Sequence, residues 1–351
     1  MSEQIKKAMV LSAGLGTRLS PITQQLPKPL VSVLNIPNIL HVLYILKKAG
    51  IEKVIMNLHY LPEKMEMFFN TNRFMGLKFQ FTRENPIQGT GGGVKNAEPF
   101  LKNSNFILAN CDFVTDIDIK HYMTSHLSRR ALASMLLIQD ESKAHLYSQV
   151  GIGTESRLVS LPKLKTQIPQ QVGIFTGIHI LHSEVLSFLE AKPCGINDVL
   201  YPKLMREHPE RVLGFIDSQA FWYDTGDIPA LHQTSLLLLN RLTQRDPFIL
   251  ELLRSLEMPY EEVLPDIWVE SGHQLPKDLK IQGPALIGKN SVFGKSCKVG
   301  PSVIIGENSV LEESVEVSDS VVLPGARVAT RSKLSRIIQF ENQSLSANAQ
   351  V

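Results

Sequence analysis

LSAGLGTRLSPITQQLPKPL, residues Leu11 to Leu30, decides the fold class of this 351-residue chain. An apolar run, KAMVL at residues 7–11, leads directly into it and has the composition of a buried strand. Gly14 and Gly16 allow a tight turn after the strand, so that backbone N–H groups can come close to an anion. A strand followed by such a turn predicts a phosphate-binding loop in an α/β fold.

Two cations, Arg18 and Lys28, follow in the same stretch, the second between Pro27 and Pro29. Their fixed positive charge suits a triphosphate. The sequence excludes two common phosphate loops. The dinucleotide-binding fingerprint needs a third glycine where Leu19 stands, and the Walker loop needs Gly-Lys-Ser or Gly-Lys-Thr, which is absent.

The composition is that of a large globular chain. Of its residues, 43% are hydrophobic and 20% are charged, and the formal net charge is +2. This length and hydrophobic content can bury the cores of two domains. No run of Lys and Arg is long enough for a nucleic-acid surface, so we expect an anionic partner to bind in a local pocket.

The cysteines and the apolar runs bear on location. Cys111, Cys194 and Cys297 are odd in number, far apart and without a CxxC pair, which indicates a reducing cytoplasm and no structural zinc. The run Leu236–Leu239 falls far short of the roughly 20 residues that a membrane span requires. We expect a cytoplasmic protein without membrane contact.

Short apolar runs alternate with helical patterns from the N-terminus to about residue 225. This alternation predicts a mixed, mostly parallel sheet with helices on both faces, a Rossmann-like α/β fold. The predicted strands cover residues 7–11, 53–58, 77–82, 106–109, 131–138, 173–181, 212–216 and 221–223, and the clearest predicted helices cover 38–49 and 62–70. Asp112 directly follows one of these strands, at the carboxyl end where ligands collect in open α/β sheets.

The periodicity changes to six residues in the C-terminal part of the chain. Apolar residues recur at Ile281, Ile287, Phe293, Val299, Ile305, Leu311, Val317 and Leu323. Hexapeptide periodicity of this kind predicts a β-helix of about three coils. The spacing predicts a register slip around Pro324 and Gly325, after which Val328 and Leu334 resume it.

These patterns predict four segments. Residues 1–227 form the α/β domain, and residues 228–276 form a connector that is helical over 228–262 and a linker over 265–276. Residues 277–340 form the β-helix, and residues 341–351 form a flexible tail.

Several motifs recur in an order typical of one family. They are Gly14 to Lys28, GTGGG at Gly89 to Gly93, Asn110 to Asp112, FTGIHIL at Phe175 to Leu181, IND at Ile196 to Asp198 and WYDTGD at Trp222 to Asp227. In this layout the chain resembles the sugar-1-phosphate nucleotidyltransferases, also called nucleotide-sugar pyrophosphorylases. It is most similar to the mannose-1-phosphate guanylyltransferase-like branch, and the resemblance implies a GT-A-like catalytic domain and a left-handed β-helix.

The resemblance implies that a sugar 1-phosphate attacks the α-phosphorus of a nucleoside triphosphate and that pyrophosphate leaves in line. Such a reaction depends on positioning and on charge stabilisation. Asp112 and Asp224 match the family positions that hold a divalent ion, and hard carboxylate oxygens suit Mg²⁺. An isolated Asp112 would equally fit a turn or a helix cap, so the metal role rests on the pair.

The resemblance also assigns phosphate and nucleotide contacts. Arg18 would stabilise the β- and γ-phosphates, and Lys28 would bridge the phosphates of both substrates. The implied nucleotide-binding residues are Leu11, Ala13, Gly14, Gly16, Thr17, Glu84, Gly89 and Thr90. The Glu84 carboxylate could accept from the N–H edge of guanine, which favours GTP, although a uridylyltransferase branch carries a similar acidic residue. The glycine run from Gly89 is otherwise a flexible loop.

Sugar-phosphate contacts are implied at Gly151, Lys163, Thr176 and Gly177, although small residues at strand ends are also ordinary packing choices. The chain departs from the family at residues 161–165, where LPKLK replaces the usual Glu-Lys-Pro, so Lys163, Lys165 or Lys28 alone could serve the phosphate. Cys111 replaces the glycine of Asn-Gly-Asp.

Other functions stay open. A uridylyl- or thymidylyltransferase would use another sugar 1-phosphate, such as N-acetylmuramate 1-phosphate, and a catalytically silent relative would only sense sugar nucleotides. A hexapeptide acyltransferase is disfavoured because no histidine follows His273 to act as a base. The β-helix or the connector is expected to join copies of the chain into a homo-oligomer.

Overall fold

The computed structural model describes residues 4–72 and 74–348. They form two compact units that do not follow the order of the sequence. The first unit takes in the described residues through Leu15, together with Pro27–Pro29 and Val42–Trp222. The second takes in Gly16–Leu26, Leu30–His41 and the described residues from Tyr223 onwards. The glycine-containing stretch at Leu11–Leu30 is therefore divided between the two units.

Short strands dominate the N-terminal part of the chain. In chain order they are β1 (Lys7–Leu11), β2 (Ser32–Val33), β3 (Ile36–Pro37), β4 (Lys53–Leu58), β5 (Lys78–Arg83), β6 (Phe106–Asn110), β7 (Phe113–Thr115), β8 (Ala133–Ile138), β9 (Gln149–Ile152), β10 (Leu158–Leu161), β11 (Leu164–Lys165), β12 (Gln171–Leu181), β13 (Val212–Asp217) and β14 (Trp222–Asp224). The predicted strands at residues 7–11 and 53–58 have the predicted bounds.

The helices alternate with these strands, as the apolar periodicity predicts. They are α1 (Ile22–Gln25), α2 (Asn38–Lys48), α3 (Pro62–Thr71), α4 (Gly89–Asn96), α5 (Glu98–Leu101), α6 (Ile119–Ser128), α7 (Ile196–Glu207), α8 (Ile228–Thr243) and α9 (Pro247–Ser255). Helix α3 begins at a proline, whose fixed φ and missing N–H suit a first turn. In this part of the chain the predicted alternation is confirmed.

A ten-stranded sheet organises the first unit. Strands β6, β1, β4 and β5 lie side by side and parallel, and β12 runs antiparallel to β6. Strands β8 and β13 pair in parallel, and β8 joins the sheet through β12. The mixed α/β architecture is confirmed, with parallel strands at the position of the predicted phosphate-binding loop.

Strand β1, in the centre of the sheet, is buried on both faces. Ala8, Met9 and Val10 are consecutive, so they alternate between the two faces, and each is 0% exposed. On one face, Met9 shares a core with Val94 of α4 and Leu200 of α7. A strand that is buried on both faces needs apolar residues at successive positions. The sequence of β1 is therefore a nearly continuous apolar run.

Strand β1 is in register with its neighbours at its carboxyl end. Leu11 lies opposite Asn57 of β4 and opposite Asn110 of β6. The loops that follow these strands therefore leave the sheet at the same edge. This register positions the cavity described below.

The second unit contains the remaining strands. They are β15 (Tyr260–Leu264), β16 (Ile267–Glu270), β17 (Lys280–Ile281), β18 (Ala285–Ile287), β19 (Val292–Phe293), β20 (Lys298–Val299), β21 (Val303–Ile305), β22 (Val310–Leu311), β23 (Glu316–Ser318), β24 (Ser320–Val322), β25 (Arg327–Val328), β26 (Lys333–Ser335), β27 (Ile337–Phe340) and β28 (Gln343–Ser346). From β16 to β27 they stack as three parallel sheets around a core of apolar residues. The predicted β-helix of about three coils is confirmed.

The register slip of the β-helix lies earlier than predicted. Val299 is in register with Val317, as the six-residue spacing requires, but Ile305 is in register with Val322 instead of Leu323. The coil is therefore one residue short between Val317 and Val322, before Pro324 and Gly325. The predicted site of the slip is wrong, because Leu323 is also apolar and hides the missing residue.

Two further predictions about this region are wrong. Residues 260–264 and 267–270 are neither helix nor linker, because β15 and β16 form an antiparallel pair and β16 joins the first full coil through β18. Residues 343–346, assigned to a flexible tail, form β28 and pair with β27. Both errors concern strands that pair across the ends of the repeat, where the period no longer applies.

Among the helices of the described residues, none combines the length and the apolar character that a membrane span requires.

Candidate active site

A cavity of about 220 Å³ opens at the carboxyl ends of β1, β4 and β6, within the first unit. It is lined by Leu11, Ser12, Ala13, Gly14, Lys28, Pro29, Asn57, Ile87, Gly89, Thr90, Asn110, Cys111 and Asp112. Three of these, Leu11, Asn57 and Asn110, are the residues that the sheet register aligns. The cavity lies at the strand edge where the sequence predicts the ligand.

Lys28 and Asp112 form an ion pair in this cavity. The Lys28 ammonium lies 2.6 Å from Asp112 Oδ2, and the two side chains are 12% and 26% exposed. Partial burial strengthens this attraction relative to a solvated surface pair. The structure thus brings together the lysine predicted to bridge phosphates and one carboxylate predicted to bind metal.

A buried hydrogen-bond network supports the cavity wall. The Ser12 N–H donates to Asn57 Oδ1 at 2.9 Å, and Asn57 Nδ2 donates to Glu84 Oε1 at 2.8 Å. The Gln88 N–H donates to Glu84 Oε2 at 2.8 Å. Asn57 and Glu84 are 2% and 4% exposed. Because every member has a partner, the network fixes the loops after β1, β4 and β5 relative to one another.

Glu84 lies behind the cavity lining, and both of its carboxylate oxygens accept from protein donors. In this arrangement it positions Asn57 and the start of the loop before α4. A direct contact between Glu84 and a nucleobase stays a prediction.

The glycine run at residues 89–93 is not a flexible loop, because it forms the first half of helix α4. Close packing explains the glycines. A Cβ at Gly91 would lie 2.7 Å from Cys194 Sγ, and one at Gly92 would lie 2.5 Å from the Lys192 carbonyl oxygen. The N-terminus of this helix lies at the cavity, where Gly89 and Thr90 line the wall. A helix N-terminus with free backbone N–H groups favours an anion.

Cys111 occupies the cavity wall between Asn110 and Asp112 and is 6% exposed. Burial, followed by the neighbouring Asp112 carboxylate, raises the pKa of its thiol to about 12. The thiol is therefore protonated at neutral pH, which excludes a nucleophilic role and leaves Cys111 as a small packing residue.

Arg18, Asp224 and Asp227 belong to the second unit. Arg18 Nη1 lies 3.8 Å from Asp227 Oδ2, and the Arg18 side chain is 61% exposed. A Cβ at Gly226 would lie 2.6 Å from Arg18 Nη2 and 3.0 Å from Asp224 Oδ1. Glycine at this position therefore lets the guanidinium group and the Asp224 carboxylate approach each other.

Gly16 and Thr17 also belong to the second unit. Gly16 has φ 65°, in the left-handed region, and precedes a short 3₁₀ helix at Thr17–Leu19. The Thr23 hydroxyl donates to the Gly16 carbonyl at 2.9 Å. The tight turn predicted at this glycine is confirmed.

Of the residues predicted for the sugar phosphate, Lys163 lies in a separate cavity. Lys163 Nζ is 3.0 Å from Asp198 Oδ1, and both residues line a cavity of about 400 Å³ in the first unit. The Lys163 side chain is 84% exposed, so the pair is weak and its charge is available to a ligand.

The other three sugar-site candidates have evident structural roles. A Cβ at Gly151 would lie 2.6 Å from the Pro169 side chain, and the buried Thr176 hydroxyl donates to the Leu136 carbonyl. Gly177 has φ 87°, and a Cβ there would lie 3.0 Å from Asn110 Nδ2 of the cavity wall. Gly151, Thr176 and Gly177 line neither of the two cavities, and their contact with a sugar stays a prediction.

The cavity of about 220 Å³ thus gathers one part of the predicted site. The predicted residues that line it are Leu11, Ala13, Gly14, Lys28, Gly89, Thr90 and Asp112. Asn57, which the sequence analysis missed, lines it as well. A polar residue in an otherwise apolar run, KVIMNL, is the signal that could have identified it.

Within residues 4–72 and 74–348, no three His, Cys, Asp or Glu side chains cluster so that they could hold a metal ion. Asp112 itself suits a divalent cation, because its hard carboxylate lines the cavity and already holds a cation, the Lys28 ammonium. Asp112 and Asp224 belong to different units, and their convergence on one ion stays a prediction.

Comparison with known proteins identifies the family. The family described as nucleotidyl transferase matches residues 7–241, and the one described as GMPPB C-terminal domain matches residues 281–351. The chain is 32% identical over 250 residues to mannose-1-phosphate guanyltransferase 2 of Candida glabrata, which covers 69% of this chain and 67% of the relative. It is 27% identical over 337 residues to probable mannose-1-phosphate guanylyltransferase 1 of Oryza sativa subsp. japonica, which covers 95% of this chain and 85% of the relative.

Solved structures show the same fold. HddC from Yersinia pseudotuberculosis, also solved in complex with GMP-PN, has a TM-score of 0.56 and 22% identity, covering 67% of this chain and 100% of HddC. The nucleotidyl transferase match spans the sheet, the predicted phosphate-binding loop and the cavity, which is more than half of the chain. The protein is an enzyme and belongs to the nucleotidyl transferase family.

Proposed function

We propose that this nucleotidyltransferase transfers a guanylyl group from GTP to mannose 1-phosphate or a closely similar sugar 1-phosphate and releases pyrophosphate. The observation that carries the proposal is the Lys28–Asp112 pair, in a cavity bounded by the glycine-containing loop and the N-terminus of α4. The named relatives, which are mannose-1-phosphate guanylyltransferases, support the choice of base and sugar.

The cavity offers donors on several sides of a polyphosphate. Backbone N–H groups of Ala13 and Gly14 and of Gly89 and Thr90, at the start of α4, would bind phosphate oxygens. Lys28 would place its charge between the two substrates, and Arg18 would stabilise the leaving pyrophosphate. Because these groups are held before the substrate arrives, they can stabilise developing charge without reorganising.

Nucleotidyl transferases of this family generally use a divalent metal. We propose Mg²⁺ held by Asp112 and Asp224, since both are hard oxygen donors. The ion would neutralise charge on the α-phosphate during attack. Lys28, which pairs with Asp112 at 2.6 Å, would contact the sugar phosphate when Asp112 holds the cation.

Lys163 is the proposed second contact to the sugar phosphate. Its partner Asp198 lies in the IND motif, and the exposed pair borders a cavity that could admit a sugar. Lys165 and Lys28 remain the alternatives, because the chain lacks the family's Glu-Lys-Pro motif.

A pyrophosphate-release assay tests the proposed function. Purified protein with Mg²⁺ is supplied with GTP, UTP, dTTP or ATP, each with mannose 1-phosphate, glucose 1-phosphate or N-acetylmuramate 1-phosphate. We expect the highest kcat/KM for GTP with mannose 1-phosphate. Highest turnover with UTP or dTTP would reassign the base, and binding without release for every pair would favour a sensing subunit.

Arg18→Ala tests the role of the arginine in the same assay. The side chain is largely exposed, so its loss should leave the melting temperature unchanged and lower kcat by about 100-fold. Arg254→Ala, at the end of α9, is the matched control and should keep full turnover. Unchanged turnover in Arg18→Ala would contradict the assignment.

We also propose a homo-oligomer formed through the β-helix. Val292 of β19 is 55% exposed, and strands β19, β22 and β25 form a sheet of the coil. Sedimentation velocity of wild type and Val292→Lys would test this interface, because a charge there should dissociate the assembly.

A cytoplasmic location stays the proposal made from the cysteines.

A further inference from the structure

Three lysines begin three adjacent parallel strands of the ten-stranded sheet. Lys7 is the first residue of β1, Lys53 of β4 and Lys78 of β5. The register pairs Lys7 with Lys53 and Lys53 with Lys78, so the three side chains leave the same face. We call them the lysine row. It lies at the end of the strands opposite to the catalytic cavity, which opens at Leu11 and Asn57.

A row of like charges in register is unfavourable by itself, since directly opposed side chains of adjacent strands lie about 5 Å apart. The repulsion is evident at Lys7, where burial and then the charge of Lys53 lower the pKa of the ammonium group. Lysine on an edge strand protects against edge-to-edge pairing, and this explains Lys78 on β5. It does not explain Lys7 and Lys53, whose strands lie inside the sheet.

A cavity of about 420 Å³ adjoins the row, between the sheet and the helices α4 and α5. Lys7, Lys53, Gln80, Thr82 and Asn96 supply its polar lining, and no Asp or Glu is among the residues that line it. The nearby carboxylates are engaged elsewhere. Glu52 pairs with Lys6 at 2.9 Å, and Glu98 pairs with Lys95 at 2.9 Å.

Two residues of the cavity lining carry donors that bear on anion binding. Lys7 Nζ donates to the Phe100 carbonyl at 2.7 Å, which anchors the ammonium at the cavity wall. The Thr82 hydroxyl is buried and has no hydrogen-bond partner among the described residues. An unsatisfied buried hydroxyl costs free energy unless a ligand or water completes it.

We propose that Lys7, Lys53 and the Thr82 hydroxyl form a second anion site, separate from the catalytic cavity, that binds a small phosphate-bearing ligand. Lys7 and Lys53 would neutralise the phosphate oxygens as point charges, and Thr82 would donate one hydrogen bond. The free ligand could be inorganic phosphate, the pyrophosphate released by the enzyme or a phosphate monoester. The shared chemistry is a multiply charged phosphoryl group.

Calorimetric titration tests the site in full-length protein. All titrations use a Lys28→Gln background, so that phosphate contacts in the catalytic cavity are weakened. Inorganic phosphate, pyrophosphate and glucose 6-phosphate are titrated separately, and the tightest binder identifies the form of phosphate. Adding Lys53→Gln should weaken its binding about tenfold. Lys120→Gln, which removes a charge from the exposed face of α6, is the control and should leave binding unchanged.

Thr82→Val separates a binding role from a structural one. The variant removes an unpartnered hydroxyl at nearly constant volume, so the melting temperature of the free protein should stay the same or rise, while phosphate binding should weaken by severalfold. Three results would overturn the site: no heat with any of the three ligands, equal affinity with and without Lys53→Gln, or an equal loss in Lys120→Gln.

Discussion

Two regions bury their side chains in different ways: the interior of the β-helix and the carboxyl ends of β1, β4 and β5, called the sheet edge here. At the sheet edge, Asn57 and Glu84 are almost fully buried polar groups, and each is hydrogen-bonded. Inside the β-helix, Ile287, Ile305 and Val322 are fully buried and stack in register from one coil to the next. The first region holds polar side chains in fixed orientations. The second stacks similar apolar side chains from one coil to the next.

The two kinds of burial should contribute differently to the geometry of the active site and to the stability of the fold. A polar network has a single satisfied arrangement, so it holds cavity-lining residues such as Asn57 in place. Stacked apolar residues contribute mainly by excluding water, and each coil interacts chiefly with its neighbours. We therefore expect substitutions at the sheet edge to affect catalysis most and substitutions in the coil to affect stability most.

The largest effect should come from Asp112→Asn. The amide keeps the size of the side chain but loses the charge that pairs with Lys28 and would bind the metal. We expect kcat/KM to fall by about 1,000-fold, or about 4 kcal/mol of transition-state stabilisation, with an unchanged circular dichroism spectrum. Steady-state pyrophosphate release measures this. Activity within tenfold of wild type would remove Asp112 from the reaction centre.

In the β-helix, Ile305→Ala should be the most damaging of the simple truncations. The side chain is 0% exposed and stacks between Ile287 and Val322, so a cavity would remain. A loss of about 2–5 kcal/mol in unfolding free energy is expected. Urea denaturation measures it, with Lys280→Ala, at the exposed first position of β17, as the control. At low temperature, kcat should stay near the wild-type value, and a large fall would break the contrast between the regions.

Gly93→Ala and Gly14→Ala compare two glycines of the sheet edge, one packed against the polar network and one with open space around it. A Cβ at Gly93 would lie 2.7 Å from Glu84 Oε1 and 2.8 Å from Asn57 Nδ2, so alanine should cost about 1–3 kcal/mol and lower activity. A Cβ at Gly14 would have no atom within 4 Å. Gly14→Ala should therefore keep its stability and affect only substrate binding. Equal melting temperatures for the two variants would contradict the role of the network.

The smallest effect is a dependence of stability on pH. Burial lowers the pKa of His126 and of His179 in the first unit to about 3. Both are neutral in the folded protein, whereas in the unfolded chain they take up protons below about pH 6.5. Their contribution is therefore complete above that pH and is lost as the pH falls towards 3, by up to about 1.4 kcal/mol per pH unit for each group.

Urea denaturation between pH 7 and pH 5 measures this slope above the range in which carboxylates titrate. His126→Gln should reduce it but not abolish it, since His179 and the buried His41, whose pKa burial lowers to about 4, remain. A slope that is the same in the variant and in wild type would mean that His126 does not contribute.

Much of the fold was predictable because its signals are local. β1 and β4 are short apolar runs with clear ends, and the six-residue period identifies the β-helix. The pairing of β28 with β27 was not predictable, since it depends on a contact between strands without a repeat. The register slip was missed because apolar Val322 and Leu323 are adjacent.

The site was predictable where the residues follow a strand directly, as Gly14 and Asp112 do. Asn57 was missed because its place in the cavity depends on the register between β1 and β4, which distant residues set. The helical state of Gly89–Gly93 was also hidden, because glycine disfavours a helix and only packing against Cys194 and Lys192 explains it.

The antiparallel strands β15 and β28 lie at the two ends of one sheet of the β-helix. On that side, a coil of another molecule would meet a strand that runs antiparallel to its neighbour instead of a parallel strand of the stack. The outermost strands of the other two sheets, β17, β26, β19 and β25, have no such cover among the described residues. The parallel register that a further coil would need to continue the stack is thus interrupted at both ends on one side of a three-sided column.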